Sequence, residues 1–228
     1  MSPSGRGKSM LIRFAARRLF SAVAVHDGRL TNGMRIVTLN SPSALDAAGL
    51  MIRTDGMTPP AASLVVEKLA FKATRAVSEA EMQRRLDGII GSSHARCHRE
   101  CILLGGAVSR DHLAALIELL GDASREPLVK ETDLEEMAAV AEYELFELKK
   151  KTEQLIPELA AAAAFPGIGY SPTEPWPNGL TPDRVMQFWR RCFTPDRMSL
   201  MSVSSGTEHS AIVKVAERAF SKWPNQIG

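Results

Sequence analysis

The sequence predicts an α+β fold in which a largely antiparallel sheet is flanked by helices. Strand-like and helix-like stretches interleave along the chain without the strict β-α-β alternation that is typical of a parallel sheet. The chain has 228 residues, of which 45% are hydrophobic, and this is enough for one sizeable core or two small ones. We expect a single domain over residues 27–228, preceded by a separate segment over residues 1–26.

Residues 1–26 have the composition of a mitochondrial targeting segment. They contain five basic residues and no acidic residue. Between residues 10 and 20 the apolar side chains fall largely on one helical face and three arginines on another. The motif Arg18-Leu19-Phe20-Ser21 resembles a processing site and predicts a mature chain that begins at Ser21. A disordered basic tail and a helix lying on a membrane surface are the alternatives.

The rest of the chain is slightly acidic, with 23 basic and 26 acidic residues left of the totals of 28 and 26. This balance gives no reason to expect a nucleic-acid partner. Three cysteines (Cys97, Cys101 and Cys192) are an odd number and indicate a reducing compartment rather than a disulfide framework. No apolar run approaches the roughly 20 residues that a membrane-spanning helix needs.

The strand predictions begin after a turn signal at Thr31-Asn32-Gly33, and the first two strands are expected to pair side by side. The strand-like stretches are Met34–Leu39, Ala47–Ile52, Ser93–His98, Cys101–Val108 and Met198–Val203. The third and fourth of these surround the pair Arg99-Glu100, which therefore lies between two strands.

Helix signals occupy the segments between these strands. Ser78 with Glu81 is a capping box, and Thr181 followed by Pro182 is a typical helix start. A long helical region is predicted from Glu131 to about Lys151, with a break before Pro157 and a second helix that ends at Phe165. The other predicted helices begin in Ala61–Thr74 and at residues 78, 111, 181 and 208. The Pro- and Gly-rich stretch over residues 167–182 predicts a loop.

The helix in Ala61–Thr74 looks like the active-site helix of an inverted zinc metallopeptidase whose metal ligands have been replaced. In the motif H-x-x-E-H of such enzymes two histidines bind zinc and the glutamate activates water. Leu64 and Lys68 stand at the two histidine positions, and Glu67 keeps the glutamate. Leucine has no lone pair to donate, and a lysine ammonium offers only donors. The sequence therefore predicts no zinc, no other cofactor and no independent catalysis.

Several separated stretches resemble the pitrilysin-type family, in the branch of mitochondrial processing peptidases and their alpha-type subunits. They are Thr31–Val37, Glu67–Thr74, Arg99-Glu100, Ala141–Glu144, Ala163–Phe165 and Thr194–Met198. Their order and spacing follow the family over residues 30–222. The resemblance implies the N-terminal half-domain of the family fold. It also implies a non-catalytic subunit, because alpha-type subunits carry degenerate versions of the zinc motif.

The resemblance assigns a third zinc-ligand position to Glu144, some seventy-odd residues beyond Lys68 on a long helix. An ammonium at Lys68 would then lie between the carboxylates of Glu67 and Glu144 and replace the metal charge. The alternative is that Glu144 belongs only to an acidic helix surface with Glu142 and Glu147.

A second set of metal-ligand types, His94, Cys97, His98 and Cys101, is not expected to form a metal site. On extended chain the two histidines face one way and the two cysteines the other, whereas a tetrahedral site needs ligands that converge. We therefore predict that this segment forms two sheet strands without a metal.

The function implied by the resemblance is binding of basic presequence peptides beside a catalytic zinc-bearing beta-type subunit in the mitochondrial matrix. Carboxylates of Glu142, Glu144 and Glu147 would suit such peptides electrostatically. The alternative is a structural core protein of the respiratory ubiquinol–cytochrome c reductase, at the matrix face of the inner membrane. Members of the family usually have two homologous halves, so a beta-type subunit or a chain that supplies the second half is the expected partner.

Overall fold

The computed structural model describes residues 24–56, 60–166, 176, 179–221 and 223. Six strands occupy β1 Val25–Arg29, β2 Arg35–Asn40, β3 Asp46–Arg53, β4 Gly91–Cys97, β5 Cys101–Val108 and β6 Met198–Ser204. Seven α-helices in these ranges are α1 Pro60–Leu69, α2 Glu79–Asp87, α3 Leu113–Ala123, α4 Glu131–Lys149, α5 Thr152–Ala164, α6 Pro182–Cys192 and α7 His209–Phe220. The predicted processing site at Ser21 and most of the predicted 167–182 loop lie outside the described residues.

The six strands form one mixed sheet in the order β1-β2-β6-β3-β5-β4. Neighbouring strands are antiparallel except β2 and β6, which run parallel. The predicted fold class, an α+β fold with a largely antiparallel sheet flanked by helices, is therefore confirmed. The predicted side-by-side pairing of β2 and β3 is wrong, because β6 lies between them and pairs with both. Strand β6 lies some 150 residues after β3 in the sequence, and local hydrophobic patterns do not predict pairing between such distant segments.

One face of the sheet carries the hydrophobic core. Along β3 the side chains alternate, with Leu50 and Ile52 fully buried and their neighbours more accessible. Helices α3 and α7 approach closely over this core, since a Cβ added to Gly121 would lie 2.9 Å from the carbonyl oxygen of Ala219. The largest buried side chains are Phe188, Phe220, Met34, Ile36, Leu50, Ile52, Leu69, Met82, Ile102, Leu104, Leu116 and Ile117.

Two of the predicted helix starts are confirmed in detail. The Ser78 hydroxyl accepts a hydrogen bond from the Glu81 backbone N–H, as a capping residue does for α2. Thr181 does the same for the N–H of Arg184 at the start of α6, where Pro182 is the first helical residue.

Helices α4 and α5 form a helical arm, which we define as residues 131–165. The break between them falls at Lys150-Lys151, and Pro157 lies inside α5 rather than at its start. Only Asp133 and Leu134 of α4 are buried, and no residue of α5 is. The arm is therefore anchored at the start of α4 and exposed along most of its length.

Strand β1 was not predicted, and it includes Val25 and His26 of the segment assigned to targeting. The sheet thus begins two residues before the predicted domain boundary at residue 27. Over the part of the chain that the structure describes, no helix is long and apolar enough to cross a membrane.

Candidate functional site

Helix α1 presents the altered zinc motif on the side that faces a cavity. Its other side carries Ala62, Val65 and Leu69, which are part of the hydrophobic core. Residues three and four apart share a helical face, so Leu64, Glu67 and Lys68 lie together beside the cavity. Tight packing of the apolar side fixes the direction in which these three side chains point.

The ammonium of Lys68 lies between two carboxylates. Its Nζ is 3.6 Å from Oε1 of Glu67 and 3.4 Å from Oε1 of Glu144, which is supplied by α4. This is the geometry that the sequence suggested as a replacement of metal by charge. The Glu144 side chain is 44% exposed, so the ion pair is worth at most about 1 kcal/mol.

The carboxylate of Glu67 is held on its other side as well. Its Oε2 accepts a hydrogen bond of 2.6 Å from the backbone N–H of Cys97 at the end of β4. Both oxygens of Glu67 therefore have partners, and only 11% of the side chain is exposed. Through the bond to Cys97, Glu67 ties α1 to the sheet.

The cysteine and histidine side chains of the β4–β5 segment do not form a shared site. Cys97 Sγ donates a hydrogen bond of 3.0 Å to Ser63 Oγ, and burial raises the pKa of the Cys97 thiol to about 12. Burial also raises the pKa of Cys101. His94 lies across from Gly105 on the neighbouring strand. Among the described residues no three His, Cys, Asp or Glu side chains are placed to hold one metal ion.

The cavity beside α1 has a volume of about 940 Å³. Carboxylates, cations and apolar groups contribute to its wall, namely Leu64, Glu67, Lys68, Arg96, Cys97, His98, Arg99, Glu100, Cys101, Glu144, Glu158 and Phe165. Four glutamates face three cationic side chains, so the wall carries one net negative charge with histidine neutral.

Glu158 is a cavity residue that the sequence did not indicate. It comes from α5, and its Oε2 lies 3.1 Å from Nη2 of Arg99 in the β4–β5 turn. This ion pair connects the helical arm to the sheet across the cavity. No motif marks Glu158, because its partner lies 59 residues away in the sequence.

The three glutamates predicted to bind a peptide occupy different positions on α4. Glu144 lines the cavity, whereas Glu142 and Glu147 do not contribute to its wall. Glu147 makes a 2.7 Å ion pair with Lys150, and this hydrogen bond lowers the pKa of Glu147. Two residues along a helix correspond to a rotation of about 200°, which places Glu142 on a different side of α4 from Glu144.

Comparison with known families gives one match over more than half of the chain. Residues 38–171 match the family described as Insulinase (Peptidase family M16). The matched segment includes α1 with its altered motif, the β4–β5 hairpin and the helical arm.

Similar curated proteins are subunits of mitochondrial processing peptidases. The alpha subunit of Neurospora crassa is 26% identical over 199 residues, which are 84% of this chain and 34% of the relative. The alpha subunit of Solanum tuberosum is 27% identical over 202 residues, covering 86% and 40%. A beta subunit, from Blastocladiella emersonii, is 24% identical over 209 residues, covering 88% and 45%. The chain thus spans less than half the length of these relatives.

Solved structures show the same fold at low sequence identity. A protease from Helicobacter pylori superimposes with a TM-score of 0.75 and 14% identity, over 89% of this chain and 51% of its own. Pitrilysin superimposes with a TM-score of 0.72 and 18% identity, over 91% of this chain and 24% of its own. At this identity the likeness concerns the fold alone.

Proposed function

The chain belongs to the insulinase-type peptidases of family M16, and we propose that it acts there as a non-catalytic, alpha-type subunit of a mitochondrial processing peptidase. In this role it binds the presequences of imported precursors beside a catalytic, zinc-bearing beta-type subunit. The observation that carries the proposal is the position of Lys68, whose ammonium lies between the carboxylates of Glu67 and Glu144.

The zinc ion implied by the peptidase family does not fit the residues of this site. A catalytic zinc needs three protein ligands and an open position. Leu64 has no donor atom, and Lys68 holds a cation against the two remaining carboxylates. Glu144 is then a single potential ligand beside an ammonium that repels the metal. No hydrolytic step through zinc is therefore assigned to this chain.

The relatives support an alpha-type subunit that works in a heterodimer. Proteins named as alpha and as beta subunits of mitochondrial processing peptidases both resemble this chain. A beta-type subunit carries the chemistry in such a pair, and this chain supplies part of the binding surface. These names and the basic, acid-free residues 1–26 also support a mitochondrial location, which we propose to be the matrix.

The cavity offers two kinds of contact to a basic peptide. Glu100, Glu144 and Glu158 place carboxylates at its wall, and Phe165 and Leu64 add apolar surface. Strand β4 is at one end of the sheet and pairs, within the described residues, with β5 alone. An extended peptide can hydrogen-bond to such an edge and place alternate side chains toward the cavity. Glu142 and Glu147 extend the acidic surface along α4.

Presequence crosslinking tests the proposal. The chain is purified with a catalytic beta-type subunit, and a presequence peptide with a photoreactive group is added. We expect crosslinks to the cavity wall, and weaker crosslinking for Glu158→Gln than for a matched Glu118→Gln on the exposed surface of α3. The chain alone is expected to cleave no presequence. Crosslinks confined to the beta-type subunit, or recovery only in a detergent-dependent respiratory complex, would overturn the proposal.

A further inference from the structure

The helical arm carries an unusual share of exposed apolar side chains. Of the eleven large hydrophobic residues that are exposed within the described ranges, six lie in the arm. They are Val140, Tyr143, Phe146, Ile156, Leu159 and Phe165. The first three, which we call the α4 stripe, follow each other at intervals of three residues and therefore lie along one side of the helix.

The α4 stripe points away from the core. Tyr143 stands nine residues after the buried Leu134, which is about two and a half helical turns and places it on the opposite side of α4. Tyr143 is 65% exposed and Val140 45% exposed. Exposed apolar groups that are contiguous rather than scattered indicate a surface that is covered by a partner.

Charge identifies the kind of partner. Residues 131–148 contain seven acidic residues and no basic one, and Glu136 and Glu147 stand one turn before Val140 and one turn after Tyr143. Two copies of this chain cannot pair well through α4, because each would bring the same negative charge to the contact. A partner with its own apolar stripe and a positive rim is complementary in both respects.

Within the arm, one lysine already binds to the α4 stripe and its acidic rim. Nζ of Lys150 lies 3.9 Å from the centre of the Phe146 ring and 2.7 Å from Oε1 of Glu147. Ring and carboxylate together hold one ammonium group. Lys150 occupies the C-terminal end of the stripe, which leaves Val140 and Tyr143 as its open part.

We propose that the α4 stripe and its acidic rim form a docking surface for a basic amphipathic helix. The proposal rests on the proposed function and extends it, because the presequences of that function have this composition. The surface adjoins the cavity, since Glu144 of the cavity wall lies one turn after Val140 on the same side of α4. A presequence would lay its helical part on α4 while its following, extended part enters the cavity.

The sequence provides a probe for this surface. Residues 8–20 combine Lys8, Arg13, Arg17 and Arg18 with Met10, Leu11, Phe14 and Phe20. A fluorescent peptide with this sequence is titrated with the full chain, and its anisotropy reports binding. We expect binding that weakens as salt increases. A peptide with Leu11→Ser and Phe14→Ser keeps all of the charges, and we expect it to bind much less tightly.

The variant Val140→Ser/Tyr143→Ser removes the open part of the stripe and leaves every charge in place. We expect it to weaken binding by about tenfold or more, because two apolar contacts are lost. The matched control is Leu45→Ser/Ile90→Ser, which alters two other exposed residues (49% and 70%) and is expected to leave binding unchanged. Circular dichroism verifies that each variant is folded.

Failure of the α4 docking surface and failure of presequence binding give different results in these experiments. Binding that is unchanged in Val140→Ser/Tyr143→Ser but lost in Glu158→Gln overturns the docking surface and leaves presequence binding in the cavity. A wild-type dimer in sedimentation velocity that the stripe variant converts to monomer assigns the surface to a second copy, and also overturns the inference. If the wild type binds no peptide, a chain with Arg13, Arg17 and Arg18 replaced by Gln removes competition from the attached segment. Absence of binding in that chain too overturns both proposals.

Discussion

The sheet core and the helical arm differ sharply in how they are packed. Leu50, Ile52 and Leu104 are almost completely buried between the sheet and the helices that cover it. In the arm, α5 has no buried residue, and α4 is buried only at Asp133 and Leu134. The altered zinc motif lies between these regions, with Glu67 on the core side and its partner residue Glu144 on the arm.

This difference separates the residues that stabilise the fold from the residues that form the altered zinc site. The core is stabilised by buried apolar side chains, and Lys68 is not one of them. The junction with the arm is polar and consists of ion pairs such as Lys68–Glu144 and Arg99–Glu158. Residues at such a junction can change without loss of the fold, whereas core residues cannot. Four experiments test the contrast, in order of decreasing expected effect.

Restoring the zinc motif tests whether the arm still stands at the distance that a metal requires. In Leu64→His/Lys68→His the two imidazoles join Glu144, and we expect one zinc ion per chain in metal analysis of the purified protein. At free zinc 1,000 times above its dissociation constant, binding adds about 4 kcal/mol to the free energy of unfolding. Leu64→His alone is the control and should bind little zinc. A folded double variant without zinc would show that α4 is not positioned for ligation.

Truncating one side chain in the sheet core and one in the helical arm shows how much packing in each region contributes to the free energy of unfolding. Leu50→Ala should lower the free energy of unfolding by about 2–5 kcal/mol, because it leaves a cavity in a closely packed site. Ile156→Ala removes a side chain that is 59% exposed, and we expect a change within about 0.5 kcal/mol. Urea denaturation followed by circular dichroism measures both. Equal losses in the two variants would contradict the contrast between core and arm.

Substitutions of Glu67, which accepts a hydrogen bond from the backbone of β4, test the side of the junction that belongs to the core. Glu67→Ala leaves the N–H of Cys97 without its acceptor, and we expect a loss of about 1–3 kcal/mol in the free energy of unfolding. Glu67→Gln retains an acceptor oxygen and should lose less. Lys68→Met should cost at most about 1 kcal/mol, because its ion pairs are partly exposed. An unchanged stability in Lys68→Met would argue against a bridging role for the ammonium.

The ion pair between Asp133 and Lys72, at the start of α4, should make the free energy of unfolding depend on pH. Burial alone would raise the pKa of Asp133, but hydrogen bonds from Lys72 and from the Lys130 backbone outweigh it and lower this pKa. The resulting stabilisation is present above the ordinary aspartate pKa of about 4 and is lost as the pH falls through the lower, folded-state value.

Lys72→Ala should remove about 1 kcal/mol of this stabilisation at pH 7 and very little at the acidic end, where Asp133 is protonated. Urea denaturation of wild type and variant between pH 2 and pH 7 measures the difference. A constant difference over this range would show that Lys72 acts through packing rather than through the charge of Asp133.

Local patterns in the sequence were sufficient to predict most of the strands and helices. Short strand-like runs identified β2, β3, β4, β5 and β6, and the hydroxyls of Ser78 and Thr181 marked two helix starts. Strand β1 was missed because Val25–Arg29 has little apolar pattern and is mostly exposed. The long helical region was predicted to end at about Lys151, and α4 ends at Lys149, but α5 begins before Pro157 and continues through it.

The sequence by itself determined that Leu64 and Lys68 stand where the zinc motif has its two histidines. Leucine has no lone pair for zinc in any conformation, and lysine has none while it is an ammonium. The tertiary structure decided where β6 enters the sheet, which atom engages Glu67, and that Glu158 joins the cavity wall. These features depend on pairs of residues that are far apart in the chain. Local periodicity carries no information about such pairs, because it reports only which side of an element is buried.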